Sequence, residues 1–444
     1  MEDILQLIKD NRYTDARSLL LQKNEVDVAL FLEEIPRERS FVIFRILPKD
    51  FAADVFSYMS PEQQKYIVEN ITDREIQLIL DELLIDDKVD FLEEMPANFV
   101  KKVLKNTDEN TRKLLNQFLS YPQHSAGSIM TIEYVDLKKE MNVKQAISRV
   151  KSIGKDKETV DICYVMDSNR RLEGVLPLRR LILSEEDNSV EEIMDRDIIF
   201  AHTLEDQEEV ATKFTKYDLI SMPVVDQENR LVGIITIDDI LDIIEEEATE
   251  DFQRMAGMEP TEEEYLKTGI FTLSKHRFTW LLVLMVSATF TGNIIKQYQE
   301  VLESVVLLAA FIPMLMDTGG NAGSQSSTLI IRGLALGEIN TENTFEVMIK
   351  EFLVGLTVGV ALALVNFLRL YFLEKVGLAL SITVCFSLFT TVILSKVVGG
   401  ILPILAKRIN MDPAIMAGPL ITTIVDAVAL MIYFATAVSL MNIK

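Results

Sequence analysis

A segment rich in polar residues interrupts the most hydrophobic part of the chain. It reads PMLMDTGGNAGSQSSTLIIRGLALG over residues 313–337 and places an acid, Asp317, where a membrane span would be continuous in Leu, Ile and Val. A charged side chain at the centre of a span has an apparent insertion cost of roughly 2.5–3.5 kcal/mol, so such residues usually face a cavity or partner helices. The segment therefore predicts a surface that faces something other than lipid.

A second acid, Asp426, lies near the middle of the last hydrophobic stretch, in PLITTIVDAVAL. Thr422 and Thr423 precede it by about one helical turn and share its face approximately, because side chains three and four residues apart stack on a helix. Two interpretations are open. Asp426 either pairs with Lys396 of the preceding span or lines a water-filled ion path, and we favour the ion path.

Glycines and neutral oxygen donors accompany these acids. The glycines of GGNAG let helices approach closely or let the span break, and Gly418–Pro419 should free backbone carbonyls in the last span. Close helix packing alone would also explain GGNAG, but together with Asp426 we interpret the set as pore lining. The residues predicted to line the pore beside Asp426 are Asn321, Ser324, Gly418, Thr422 and Thr423.

These groups indicate the class of ion. A carboxylate with neutral oxygens and without soft ligands selects a hard cation. Mg²⁺ loses its water reluctantly and is often held through water by one or two carboxylates, so a wide polar pore with one acid per subunit suits the hydrated ion. Symmetric pairing of two chains would place two copies of Asp426 around one axis.

The charge of the chain is uneven. Residues 1–273 hold 58 Asp and Glu against 33 Lys and Arg, about −25, whereas residues 274–444 carry about +1. Such acidity argues against nucleic acid, whose phosphates need Lys and Arg, and makes cations the natural partner; ordinary solubility is the alternative. Cys163 and Cys385 are far apart, which indicates neither a disulfide framework nor a zinc site.

The soluble part is predicted to contain three domains. Residues 1–128 show helical spacing and a near-duplicate, FLEEIP (31–36) and FLEEMP (91–96), which predicts an acidic, all-helical domain of stacked hairpins. Strands and helices alternate in residues 129–188 and 189–247. There, VMDSNRRLEGVLPLRRLIL (165–183) repeats as VVDQENRLVGIITIDDILD (224–242), which resembles a tandem pair of CBS domains.

An acidic connecting (plug) helix over 248–274 and a transmembrane domain over 275–444 are predicted to follow. Five stretches are long enough for a crossing of about 20 residues: 278–295, 301–336, 347–372, 376–406 and 413–441. The excess of flanking Lys and Arg on one side predicts cytoplasmic soluble domains and an external C-terminus. The predicted fold class is a multi-domain integral membrane protein: an all-α helical-repeat N domain, an α/β tandem CBS pair, a connecting helix and a five-helix α transmembrane domain.

Across essentially its whole length, the chain resembles the MgtE family of magnesium channels. The segments that carry the resemblance are PMLMDTGGNAGSQSSTLIIRGLA (313–335) and DPAIMAGPLITTIVDA (412–427), supported by EEEATEDFQRMAG and SAGSIMT. The resemblance implies a homodimeric channel of the cell membrane, not an enzyme, that imports Mg²⁺ and closes when cytoplasmic Mg²⁺ is high. Asp426 matches the acid that holds the hydrated ion, whereas Ser324 and Gly418 stand where some members have asparagine.

The resemblance also implies regulatory Mg²⁺ ions between the acidic cytoplasmic domains. The carboxylates at matching positions are Asp54, Asp86, Asp90, Asp206, Glu208, Asp218, Asp239, Asp242, Glu250 and Asp251. Asp412, at the cytoplasmic mouth of the last span, is a further candidate, which we expect to meet the connecting helix through an ion. Asp54 stands where some members have Glu. Since CBS pairs often bind adenine nucleotides, ATP or a related nucleotide is a further expected ligand, with no contact residues assigned.

Two other functions stay open at this stage. The first is a secondary transporter that couples cation movement to H⁺ or Na⁺, in which Lys396 and Asp317 could serve the coupling. Dependence of flux on a second ion would identify it. The second is a membrane-anchored nucleotide sensor, which would bind ATP but move no ion in liposomes.

Overall fold

The computed structural model describes residues 2–10, 12–261, 265–266 and 268–441. The chain divides into two compact units, Met1–Ile243 and Ile244–Lys444. Within the described residues, the first unit contains ten short helices followed by two small α/β domains, and the second contains long apolar helices. The described residues therefore confirm the predicted fold class.

The helical domain of the first unit consists, in its described residues, of helices of eight to ten residues. Pro36, Pro48 and Pro96 occupy N-cap positions, and Thr72 and Glu75 form a capping box. Helices two apart in the chain pack together, as α3 does with α5 and α5 with α7, which is typical of stacked helical repeats. The helices are α1 (Glu2–Lys9), α2 (Tyr13–Leu20), α3 (Glu25–Glu34), α4 (Arg37–Ile46), α5 (Lys49–Ser57), α6 (Pro61–Asn70), α7 (Asp73–Glu82), α8 (Ile85–Glu93), α9 (Ala97–Asn106) and α10 (Glu109–Phe118).

The two α/β domains contain matching three-stranded sheets, each with one parallel and one antiparallel pairing. In both sheets the register shifts at the same place, next to the strand residue that faces Gly174 in one domain and Gly233 in the other. The internal repeat predicted from the sequence is thus confirmed as a repeated fold. The elements are β1 (Val135–Leu137), α11 (Val143–Ile153), β2 (Ile162–Met166), β3 (Leu172–Pro177), α12 (Leu178–Leu183), α13 (Val190–Ile193), β4 (Ala201–His202), α14 (Gln207–Tyr217), β5 (Ser221–Val225) and β6 (Leu231–Thr236).

The acidic segment after β6 belongs to one continuous helix, α15 (Ile237–Met255). The helix that was predicted over 248–274 therefore ends at Met255, where Gly257 follows with a left-handed φ of +70°. The next helix begins at Ile270. Residues 262–264 and 267 of the predicted range lie outside the described residues.

Five helical segments of the described chain are long and apolar enough to cross a membrane, as predicted. They are Ile270–Gln297, Val306–Ala335, Thr341–Leu373, Leu378–Arg408 and Pro413–Met441. The second starts later than predicted because residues 299–304 form a separate short helix. The α-helices are α16 (Ile270–Gln297), α17 (Gln299–Ser304), α18 (Ile312–Ala335), α19 (Thr344–Leu368), α20 (Leu378–Arg408) and α21 (Gly418–Met441).

Glycines bring α18, α20 and α21 into close contact. A Cβ atom built on Gly399 of α20 would lie 2.2 Å from the carbonyl oxygen of Gly323 on α18, and one built on Gly320 would lie 2.9 Å from Thr422 Cγ2 on α21. α18 itself continues without interruption from Ile312 to Ala335. Of the two roles predicted for the GGNAG glycines, close packing is confirmed and a helix break is wrong.

Candidate ion pathway and regulatory sites

Asp426 lies on α21, two turns after the helix begins at Gly418, and is half-buried. The charged residue that acts on its carboxylate is Asp317 of α18. Lys396 lies elsewhere in the bundle, with its Nζ 3.5 Å from Gln325 Oε1 and from Ser326 Oγ. Among the described residues, the alternative pair of Asp426 with Lys396 is therefore not formed.

Asn321 lies one turn after Asp317 on α18 and is hydrogen-bonded to it. Its Nδ2 donates a hydrogen bond to Asp317 Oδ1 at 3.1 Å, over one helical turn, and both side chains are exposed. Because the amide nitrogen is engaged by the acid, the amide oxygen is free to accept from a hydrated cation. Two carboxylates and one amide oxygen from α18 and α21 thus provide hard ligands without a neutralising ion pair among the described residues.

The threonines predicted to line the pore also stabilise the start of α21. Thr422 Oγ1 and Thr423 Oγ1 donate to the Pro419 carbonyl at 2.9 and 3.0 Å. Each hydroxyl oxygen keeps lone pairs that can accept from a hydrated ion. Ser324 and Gly418 are half-buried, and Gly418 has a φ of +23° at the irregular start of the last span.

The end of α15 contacts the start of the last span. Arg254 forms ion pairs with Glu250 of its own helix and with Asp412, while Met255 packs on the cluster formed by Ile331, Ala414 and Ala417. Asp412 was expected to meet the connecting helix through an ion, and it meets that helix through a guanidinium. This contact joins the acidic helix directly to the segment that precedes α21.

Asp251 is the acid at this contact that Arg254 does not fully compensate. Burial, with repulsion from Asp412 and Glu247, raises the pKa of Asp251 to about 6. A carboxyl group whose ionised form is disfavoured in this way gains free energy when a cation binds nearby. Asp251 and Asp412 therefore remain a candidate position for a regulatory ion.

A second acidic cluster lies in the first unit, where α8 approaches the α/β domains. Burial and the neighbouring carboxylates raise the pKa of Asp86 well above its usual value, that of Asp87 to about 6 and that of Glu158 to about 7. The pKa of Asp239 on α15 is also raised by burial, although its Oδ2 accepts a hydrogen bond from Thr236 Oγ1 at 2.7 Å. Asp86 and Asp239 were predicted as regulatory residues, and the structure brings them together.

The remaining predicted acids occupy more exposed positions. Asp206 is the N-cap of α14, where its Oδ1 accepts from the Glu208 amide at 2.9 Å, and Asp218 is the left-handed C-cap of the same helix. Among the described residues, no group of three or more His, Cys, Asp or Glu is arranged to hold one metal ion. Direct ligation by a preformed set is thus not observed, whereas Mg²⁺ commonly keeps several waters. The exposed predicted acids are Asp54, Asp90, Asp206, Glu208, Asp218 and Asp242.

Sequence reasoning missed two members of the acidic cluster, Asp87 and Glu158. The Asp86–Asp87 doublet in the first turn of α8 is the local signal that could have identified Asp87. Glu158 gives no such signal, since only the fold brings the loop before β2 to α8 and α15. Glu351, a buried acid of α19, was also missed.

Three family profiles match the chain: "Divalent cation transporter" over residues 312–436, "MgtE intracellular N domain" over 23–124 and "CBS domain" over 190–246. The magnesium transporter MgtE of Thermus thermophilus is 36% identical over 431 residues, which cover 95% of this chain and 94% of that protein. MgtE of Bacillus subtilis is 32% identical over 441 residues, covering 99% and 97%.

Two solved structures each resemble about half of the chain. The cytosolic domain of the Mg²⁺ channel MgtE in complex with ATP matches with a TM-score of 0.52 and 33% identity, covering 54% of this chain and 98% of that one. The soluble part of a magnesium transporter matches with a TM-score of 0.52 and 28% identity, covering 55% and 96%. The three matched profiles follow one another along the chain in the order N domain, CBS domain and transporter domain. The chain belongs to the MgtE family of magnesium transporters.

Proposed function

We propose that the protein is a homodimeric channel of the cell membrane that imports Mg²⁺ along a path lined by Asp426. The observation that carries this proposal is the electrostatic interaction of Asp426 with Asp317 across two closely packed spans. Two carboxylates that repel each other in a membrane domain are stabilised by a cation between or beside them. The partly hydrated Mg²⁺ ion fits this arrangement, because it binds carboxylates directly or through its retained waters.

Asn321 and Thr422 support the same path. They lie on the facing helices near the two acids and offer oxygen atoms that can accept from a hydrated ion. Ser324, Thr423 and the Gly418 carbonyl complete the proposed lining. With a second copy of the chain around a two-fold axis, two Asp426 carboxylates would share one ion.

We propose further that cytoplasmic Mg²⁺ closes the channel. Burial and neighbouring carboxylates raise the pKa values of Asp239 and Asp251, so the ionised form of each acid is disfavoured within its own cluster when no cation is bound. Bound Mg²⁺ removes this repulsion and favours the compact arrangement in which α15 contacts the start of the last span. Several weak sites acting on one two-state element give a steep response, because each ion contributes its differential affinity for the closed state.

The remaining proposals concern topology and a second ligand. We propose that the soluble domains face the cytoplasm and the C-terminus faces outward, following the distribution of Lys and Arg. The paired α/β domains are proposed to bind ATP or another adenine nucleotide. A solved relative whose cytosolic domain was obtained in complex with ATP supports this.

The transport function is tested in a bacterial strain that lacks its own Mg²⁺ uptake and grows only in high magnesium. The protein is expected to restore growth at low magnesium, whereas Asp426→Ala and Asp426→Asn, produced at the same level and still dimeric, are expected not to. The exposed acid Glu338 provides a matched control, and Glu338→Gln should restore growth fully. Full rescue by Asp426→Ala would move the ion site elsewhere, with Asp317 the next candidate.

Regulation is tested by separate control of internal and external Mg²⁺. Neutralising Asp239, Asp242, Glu250 and Asp251 together should weaken inhibition by internal Mg²⁺ without abolishing conduction. If removal of residues 1–250 leaves that inhibition unchanged, the acidic domains have no sensing role. A requirement for an H⁺ or Na⁺ gradient would instead identify a coupled transporter.

A further inference from the structure

Two charged residues are buried inside the transmembrane bundle, away from the acids of the ion path. Glu351 of α19 is 8% exposed and Lys396 of α20 is 6% exposed. Both contact Ser326 of α18, which is 1% exposed. Ser326 Oγ lies 2.5 Å from Glu351 Oε2 and 3.5 Å from Lys396 Nζ. One hydroxyl group thus connects a carboxylate and an ammonium group from two other helices.

A buried acid and a buried base are costly in a membrane unless each compensates the other. The Ser326 hydroxyl donates a hydrogen bond to the Glu351 carboxylate, and its oxygen lone pairs face the Lys396 ammonium group. Lys396 Nζ also lies 3.5 Å from Gln325 Oε1, the preceding residue of α18. Two consecutive residues of α18 therefore contact α20, and one of them, Ser326, also contacts α19.

The network lies beside the closest helix approaches in the bundle. One turn before Ser326, Gly323 of α18 lies against Gly399 of α20. A Cβ built on the next residue, Gly400, would lie 2.9 Å from Glu351 Cγ, so Glu351 packs directly on the α20 backbone. On its other side, α18 packs on α21 through the approach of Gly320 to Thr422. A shift of α18 away from α19 and α20 would consequently change its register against α21.

We infer that Glu351 and Lys396 are positioning residues for ion passage, which hold α18 through Ser326 in the register that sets Asn321 and Asp317 beside Asp426. This inference rests on the proposed function. Neither residue is assigned contact with the ion. Their effect on transport passes through α18, and the matched pair of charges matters more than either charge alone.

The test measures Mg²⁺ uptake into liposomes that contain the purified full chain. Lys396→Met should lower uptake by about tenfold or more, because it leaves the Glu351 carboxylate buried without a counter-charge. Glu351→Gln keeps a polar group near Ser326 but leaves Lys396 without its counter-charge, so uptake should also fall. The double variant Lys396→Met/Glu351→Gln removes both charges and should recover several-fold relative to Lys396→Met. The exposed Lys350→Met on α19 is the matched control and should behave as the unaltered chain.

A cross-link separates this positioning role from a general loss of stability. A Cβ on Gly320 would lie 3.4 Å from Thr422 Cβ, close to the Cβ separation of about 3.8 Å in disulfides. In a chain whose two native cysteines are replaced by Ala, Gly320→Cys/Thr422→Cys should cross-link readily in folded protein. Addition of Lys396→Met should slow the cross-link, and further addition of Glu351→Gln should restore it.

The outcomes distinguish the inference from the proposed function. If the unaltered chain moves no Mg²⁺, the proposed function fails, but the cross-link series still tests whether the two charges fix α18. If the unaltered chain transports and Lys396→Met transports and cross-links equally well, the positioning role is refuted. The role is also refuted if the double variant is no better than Lys396→Met in both assays.

Discussion

The acidic cluster of the first unit predicts that cation-free protein becomes less stable as pH rises. Burial and like charges raise the pKa of Asp87 to about 6 and that of Glu158 to about 7. For an acid whose folded-state pKa is raised, the folded state binds more protons than the unfolded state. The resulting stability is fully present below the ordinary carboxyl pKa values and is lost as pH rises through about 6 to 7.

The size of the effect follows from these values. Between pH 8 and pH 5, a carboxyl group with the pKa of Asp87 adds about 1–2 kcal/mol of stability to the cation-free folded unit. Glu158 has the larger shift but is only half-buried, and solvent screening reduces its share to about 1 kcal/mol. A total of about 2–3 kcal/mol corresponds to a midpoint roughly 5–10 °C higher at pH 5 than at pH 8 for a unit of this size.

The assay uses Cys163, which is fully buried on β2 in the same unit as this cluster. In a Cys385→Ala chain, Cys163 is the remaining thiol, so its reaction with a maleimide dye reports opening of the first unit. Samples are heated briefly at pH 5 or 8 and labelled in a short pulse at one common pH. The fraction of the chain that thermolysin cleaves is measured in parallel on the same samples. It checks that opening of this unit is what exposes the thiol.

Magnesium provides the decisive comparison. At pH 8 saturating Mg²⁺ should raise the midpoint by several degrees, because it compensates the ionised carboxylates, and at pH 5 it should have little effect. Asp87→Asn/Glu158→Gln should lose most of the pH dependence, whereas the exposed Glu34→Gln should keep it. An equal midpoint at both pH values in cation-free buffer would refute the claim that the ionised carboxylates of this cluster destabilise the folded unit.

Two further predictions concern the membrane unit. Gly399→Ala should destabilise the bundle by about 3 kcal/mol and abolish transport, because its Cβ would meet the Gly323 carbonyl. Gly292→Ala on α16 is the control and should be tolerated, because nothing lies within 4 Å of its Cβ position. Equal melting midpoints for the two variants in detergent would contradict the packing argument. Arg254→Gln should leave the repulsion between Asp412 and Asp251 uncompensated and speed proteolysis of the segment after α15 several-fold in low Mg²⁺, with protection restored in high Mg²⁺. A cleavage rate that changes neither with the substitution nor with Mg²⁺ would contradict this role of Arg254.

The sequence was sufficient to predict the domain order, the repeated α/β fold and the number of membrane spans among the described residues. These features depend on local periodicity and on two aligned copies of one motif, which a single chain displays directly. The end of α15 was predicted less well. The charges of its second half continue the helical pattern, and only the left-handed Gly257 marks the end near Met255.

The site was only partly predictable from the sequence. The residues that were not predicted are brought to the site by contacts between elements that are distant in the sequence. Asp426 could be chosen as a lone acid in an apolar span, and Asn321 as a member of the polar segment that interrupts another span. Glu351 could not be linked to Ser326, since α19 and α18 are separate elements whose facing sides depend on packing. Lys396 was considered only as an alternative partner of Asp426, and its contact with Ser326 was not foreseen, because sequence spacing does not show which side of α20 meets α18.

The most direct test of the account is Mg²⁺ uptake by the purified full chain in liposomes without a pH or Na⁺ gradient. With low internal Mg²⁺, the unaltered chain should conduct Mg²⁺ down its gradient. Asp426→Asn, reconstituted at equal density and with an equal melting midpoint, should reduce uptake to the level of empty liposomes. Uptake by Asp426→Asn equal to that of the unaltered chain would contradict the central claim that the Asp426 carboxylate holds the ion during passage.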